Sequence, residues 1–291
     1  MKLAPLTVCL LLILTGCSKN TPVEGQSVGS LPSTMEAAKS EITSGKSQSA
    51  TTSRADSLED SFAEVSSTIQ GDVGVSVATD SGVRSFGLWT QGPAWSTIKV
   101  PLAIAALRHS PEQASPLVPL AIRNSDNGAA EELWAQLGQP NEAAEAVGAI
   151  LREGGDSSTR VETQRTRGPK YTAFGQTDWS VANQAVFMAA LPCLADSEPV
   201  MTDMKSLATN QQWGMALRTD TAAKGGWGPS PEDAYLVRQV ATITTPEGHL
   251  GVALSALPQD GSFDTGIAQV GRLAEWVGKH LGEFAAKRCP S

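Results

Sequence analysis

Strand-like alternation occurs at two separate places in this chain, with about a hundred residues of helical periodicity between them. Near the front, Val73, Val75 and Val77 alternate with small or polar residues, Asp80-Ser81-Gly82 is a turn signal, and Val83 to Trp89 reads as a second strand, so a hairpin is expected. Near the end, Thr221 to Trp227, Tyr235 to Thr244, and Leu250, Val252, Leu254 and Ala256 form three more strands, the last two joined by Pro246-Glu247-Gly248. Between about Ser96 and Leu194 the apolar residues follow the helical period in segments: Val100 to Leu107, Leu117 to Arg123, Ala129 to Leu137, Ala143 to Leu151 and Ser180 to Leu191. A helix start at Ser57 precedes the first strand, with Leu58, Phe62, Val65 and Ile69 on one face; a last helix carries Ile267, Val270, Leu273, Val277, Leu281 and Phe284. That order lacks the regular βα alternation of a parallel sheet, so residues 57–291 are expected to form one α+β domain with a five-stranded antiparallel sheet, terminal helices and a helical insertion.

The segment ahead of that domain has a different character. Lys2 precedes the apolar run Leu3 to Thr15, which is shorter than the roughly 20 residues a membrane span requires but suits a secretory signal core. Its end, Leu14-Thr15-Gly16-Cys17, resembles the bacterial lipobox; residues 1–16 would then be a lipoprotein signal peptide and Cys17 a lipid anchor on the outer face of the plasma membrane. Ser18 to Arg54 holds nine Ser, five Thr and no aromatic residue, so residues 17–56 are expected to be a disordered tether. With Cys9 and Cys17 in this region, the exported domain keeps Cys193 and Cys289, either one disulfide or two separate thiols. Charge narrows the function classes. The chain carries 22 Lys and Arg against 30 Asp and Glu, a net charge of −8, which argues against a nucleic-acid surface.

Chemistry is suggested first by Trp95-Ser96-Thr97-Ile98-Lys99, at the handover from the second strand to a helix whose first turn must hold Pro101. A spacing of three places Lys99 and the Ser96 hydroxyl on one helix face, where a desolvated amine could take the serine proton and the helix N-terminus would favour an oxyanion. Such a spacing is common by chance, and alone it reads first as a capping serine beside a solvated lysine. Ser125-Asp126-Asn127-Gly128, 29 residues later between two helices, reads alone as a turn and cap. Lys224-Gly225-Gly226 lies on the first strand of the returning set. His109, His249 and His280 stand apart from all three, so a Ser-His-Asp triad is not expected, and no metal or cofactor is implied.

The three motifs in this order, each on the element its chemistry needs, resemble the serine β-lactamase and D-alanyl-D-alanine peptidase superfamily, over roughly residues 57 to 287. The resemblance implies that fold, with the helical lobe reduced, and acyl transfer on β-lactams or D-alanyl cell-wall peptides by a monomer. Ser96 would be the acylated nucleophile and Lys99 its base; Ser125, beside Lys224, would pass a proton to the leaving nitrogen. Asn127 would bind the substrate amide, Gly226 would line the strand edge, and the N–H groups of Ser96 and Trp227 would form the oxyanion hole. Arg238 is either a partner for a substrate carboxylate or a solvated edge arginine.

The motifs depart from the superfamily pattern in three ways. The interval from Ser96 to Ser125 is about half the usual one, and Gly225 stands where a hydroxyl residue is usual. Arg160-Val161-Glu162-Thr163 resembles the start of the loop that supplies a deacylating glutamate, but Arg165-Thr166 replaces its continuation. Glu162 is then either a general base or a loop glutamate paired with an arginine. These departures open a second reading, a catalytically impaired envelope module for binding or scaffolding.

Overall fold

The computed structural model describes residues 46–229 and 234–290. Helix α1 (Lys46–Ser67) leads into the hairpin β1 (Gly71–Thr79) and β2 (Gly82–Gly87). A run of helices follows: α2 (Lys99–His109), α3 (Pro111–Ala114), α4 (Val118–Arg123), α5 (Asn127–Gln136), α6 (Pro140–Glu153), α7 (Val181–Ala190) and α8 (Glu198–Met204). Strands β3 (Thr221–Pro229), β4 (Tyr235–Thr245) and β5 (Gly248–Pro258) and helix α9 (Phe263–Lys279) complete the domain. All pairings are antiparallel and the sheet order is β2-β1-β5-β4-β3, so β1 joins β5 at the centre and β3 lies on an edge.

Side chains alternate across the sheet and build a core on each face. Val73, Val75, Val77, Val237, Ala241 and Ile243 pack with Leu58 and Phe62 of α1 and Val270, Leu273 and Val277 of α9. On the opposite face Ala222, Val240 and Ala253 meet the helical lobe, where α2, α5, α6 and α7 supply Ile104, Leu133, Val147 and Phe187. The α+β, five-stranded reading is therefore correct, including the position of the helical insertion.

Differences from the sequence reading sit at element ends. Helix α1 starts at Lys46 rather than Ser57, so its first residues occupy part of the stretch expected as tether. No Gly or Pro interrupts 46 to 57, and a helix anchored by Leu58 and Phe62 can extend through such residues at little expense. The expected signal peptide, Cys17 and the rest of the expected tether lie outside the described residues. Helix α9 ends at Lys279, so Leu281 opens a short 3₁₀ turn (Leu281–Glu283) and Phe284 follows it in extended backbone instead of continuing the stripe; there the His280 ring bonds Ser61 and Glu283. Helix α8 has no counterpart in the periodicity. Cys193 and Cys289 form a disulfide that fastens the C-terminal segment, itself bridged to His249 through Lys287, to the end of the α7 region.

Candidate active site

The turn carrying Ser96 runs from Trp95 to Ile98 and feeds directly into α2. Trp95 has φ +51°, a left-handed conformation unusual for a bulky residue, which turns the chain sharply just before the serine. Ser96 is half-buried, and among the described residues its hydroxyl and its N–H make no hydrogen bond. Edge strand β3 lies hard against this turn. A Cβ on Gly226 would sit 2.8 Å from the Ser96 nitrogen and 2.9 Å from the Thr97 nitrogen, so only glycine allows the approach.

Two buried lysines converge on the Ser125 turn. Lys99, one turn into the helical segment, is 1% exposed, and its Nζ donates to Ser125 O at 2.6 Å, Asp126 O at 3.1 Å and Asn127 Oδ1 at 2.8 Å. Burial lowers its pKa to about 7, against the opposing pull of Asp126 and Glu131. Lys224 reaches the same turn from β3: fully buried, its Nζ donates to Ser125 Oγ at 2.9 Å and to Gly225 O at 2.8 Å. Burial, with the Lys99 charge as a second cause, pushes its pKa well below the ordinary lysine value. Ser125 has φ +58°, and Asp126 caps α5 by accepting from the Ala129 N–H at 2.7 Å. The cap and the left-handed serine together present the Ser125 hydroxyl and carbonyl to the two lysines.

Lys99, Ser125, Asn127 and Lys224 are thus brought together, with Gly226 beside Ser96. No Ser96–Lys99 hydrogen bond is made: all three ammonium donors are engaged by the Ser125 turn. Trp227 projects to the opposite face of the sheet, where its ring lies 5.0 Å from Phe263 and 6.5 Å from Trp213. Trp95 is buried behind the serine, its ring against Gly228 and 5.3 Å from that of Tyr171.

Arg238 requires correction on both readings. It is neither on a solvated edge nor available to a substrate carboxylate: it is fully buried, with four acceptors around its guanidinium. On β4 it faces the helical lobe, beneath the serine turn, and burial lowers its pKa to about 9. Glu162 also departs from expectation. Its carboxylate accepts from the N–H groups of Thr163 and Gln164, both at 2.8 Å, closing its own loop turn without an arginine. The ion pair of this region is instead Glu131 with Arg165 at 2.6 Å, which ties the loop to α5.

Sequence reasoning missed the buried partners of Arg238, namely Gln184 and the carbonyls of Gly92, Pro93 and Trp179, since no local pattern marks them. It also missed Trp213, whose ring lies 2.4 Å from where a Cβ on Gly225 would be. Among the described residues no group of three His, Cys, Asp or Glu could hold a metal ion, and no helix is long and apolar enough to cross a membrane.

No family model matches this chain, and no curated protein matches it. Solved structures do. The TLA-3 extended-spectrum β-lactamase superposes with a TM-score of 0.62 at 15% identity, covering 78% of this chain and 98% of its own. A class A β-lactamase from Mycobacterium abscessus gives 0.59 at 18% identity, over 77% and 99%. The putative class A β-lactamase PenP from Rhodopseudomonas palustris gives 0.57 at 21% identity, over 79% and 100%. The chain has the class A β-lactamase fold. At these identities the likeness defines the fold alone.

Proposed function

We propose that the protein is an exported serine hydrolase, held at the outer face of the plasma membrane through Cys17, that transfers acyl groups through Ser96 from β-lactams or D-alanyl cell-wall peptides. One observation carries the reading. Lys99 and Lys224, both buried, converge on the Ser125 turn beside a serine whose hydroxyl is free, an arrangement that desolvates two amines at once and has no use in a purely structural core.

In the reaction, Lys99 as the neutral amine keeps two of its three acceptors and turns its lone pair to the Ser96 hydroxyl. The Ser96 oxygen attacks the substrate carbonyl while its proton moves to Lys99 Nζ. The oxyanion is held by the N–H groups of Ser96 and Trp227, donors that are each worth about 3 kcal/mol of barrier in comparable sites. As the carbon–nitrogen bond breaks, the leaving nitrogen takes the Ser125 hydroxyl proton, which Lys224 replaces. Asn127, still bonded to Lys99, faces the substrate amide.

Among the described residues no carboxylate stands ready as an equivalent base for deacylation. With Glu162 closing its own turn, the acyl-enzyme is expected to be long-lived, as in a penicillin-binding protein. The second reading, a non-catalytic envelope module, is favoured by the missing Ser96–Lys99 bond and by Gly225. Intact mass of the full chain after incubation with benzylpenicillin separates the two. An adduct in the wild type that is absent from Ser96→Ala supports acyl transfer; no adduct together with undiminished drug rules out lactam acylation and favours the module.

A further inference from the structure

Arg238 stands on β4 directly opposite Gly226 of β3, so its side chain leaves the sheet on the face against which the Ser96 turn packs. Among the described residues it forms no ion pair. Its contacts are neutral oxygens on both sides of the chain leading to the serine: Nη1 donates to Gly92 O at 2.7 Å and Pro93 O at 3.1 Å, and Nη2 to Trp179 O at 2.8 Å and Gln184 Oε1 at 2.7 Å.

These oxygens belong to one small assembly. The approach to Ser96 pairs with the segment entering α7, through Ala94 N–H to Thr177 O at 2.7 Å, Trp179 N–H to Gly92 O at 2.9 Å and Val181 N–H to Thr90 O at 2.9 Å. The guanidinium grips both strands of this pairing from beneath. Gln184 continues the chain by donating to Thr97 Oγ1 at 2.8 Å, and Thr97 Oγ1 donates to Ala94 O at 2.6 Å. Thr97 adjoins Ser96. A buried guanidinium with no ion pair, only the more distant charge of Asp178 opposing its desolvation, is a poor source of stability, but its rigid planar fork can hold carbonyls in two directions at once, as neither an ammonium nor an apolar side chain can.

We propose that Arg238 is a positioning residue for the nucleophile: it fixes the Gly92–Ala94 approach directly, and the Ser96 turn through Gln184 and Thr97, so that the serine is set in place before substrate arrives. The proposal rests on the reading that Ser96 is acylated, and it makes the arginine a structural support for chemistry rather than a ligand-binding group.

Two measurements on the full chain test it, acylation by benzylpenicillin followed by mass and hydrogen exchange of residues 90–99. Arg238→Met should lower the maximal acylation rate about 100-fold, as small displacements of a reacting group do, while the half-saturating concentration stays within about 3-fold. Arg238→Lys should recover part of that rate, and exchange at 90–99 should accelerate in Arg238→Met while α9 keeps its protection. A defect confined to half-saturation, or a wild-type rate, overturns the proposal. Should Arg238→Met fail to fold, Thr97→Val, which removes the last link and leaves the charge, should slow acylation about 10-fold; a wild-type rate there overturns it equally. If the wild type forms no adduct the proposed reaction fails, and unchanged exchange at 90–99 in Arg238→Met then separately overturns the positioning role.

Discussion

Lys99 shows how one buried amine can hold a site together and be drawn into its chemistry. As an ammonium it satisfies two carbonyls and an amide oxygen of the Ser125 turn; as an amine it frees a lone pair for Ser96. Burial favours the neutral form, with a pKa of about 7, so the competent fraction increases as pH rises through that value. The acylation rate should therefore climb from about pH 6 to about pH 8 and then level off, as expected for a general base. A profile that is flat or falls across this interval would rule out Lys99 as the base, and Lys99→Arg, which cannot titrate there, should lose the rise along with most of the rate. Gly225 poses a different residue-scale question. Restoring a hydroxyl by Gly225→Thr drives a Cβ to within 2.4 Å of the Trp213 ring, so the expected result is a loss of about 1–3 kcal/mol from overpacking. Urea unfolding checks it, and Trp213→Leu in the same chain should restore part of the loss; additive losses would mean that the two positions do not compete for space.

Elements were read from the sequence where their periodicity was strong. The alternating valines of β1 and the Val270, Leu273 and Val277 stripe of α9 each face a single core, and both stand where the pattern placed them. Element ends were less legible: α1 begins earlier and α9 stops sooner, because helix ends depend on the groups available around them. The C-terminal segment after α9 has little periodicity and is held by pairing with His249 and by the Cys193–Cys289 bond, which closes an interval of 96 residues. Cys289→Ser should lower the unfolding free energy by about 2–4 kcal/mol, largely by releasing the unfolded chain. Denaturant curves for the oxidised wild type and the variant would decide this, with coincident midpoints counting against any stabilising role.

At the scale of the molecule, a central sheet separates two cores and offers its edge strand β3 to the helical lobe, so that the site lies where strand, turn and helices meet. The proposed anchor also belongs to this scale: Cys17→Ala should move the expressed protein from the membrane pellet to the soluble exported fraction, and an unchanged distribution would refute lipid attachment at that cysteine. The sequence by itself determined the class of fold and the split of two and three strands, because periodicity is local and survives without coordinates; that Lys99, Ser125, Asn127 and Lys224 share one site was implied only by the resemblance their motifs carry. Only the tertiary structure decided that Arg238 is buried beneath the serine turn, that Glu162 closes its own loop, that Trp213 fills the space beside Gly225, and that Lys99 bonds the Ser125 turn in place of Ser96. Apart from the local turn at Glu162, each of these depends on which distant segment occupies the other side of a side chain. That is set by the packing of the whole chain, through contacts as far apart as the 146 residues between Gly92 and Arg238, and no local pattern encodes it.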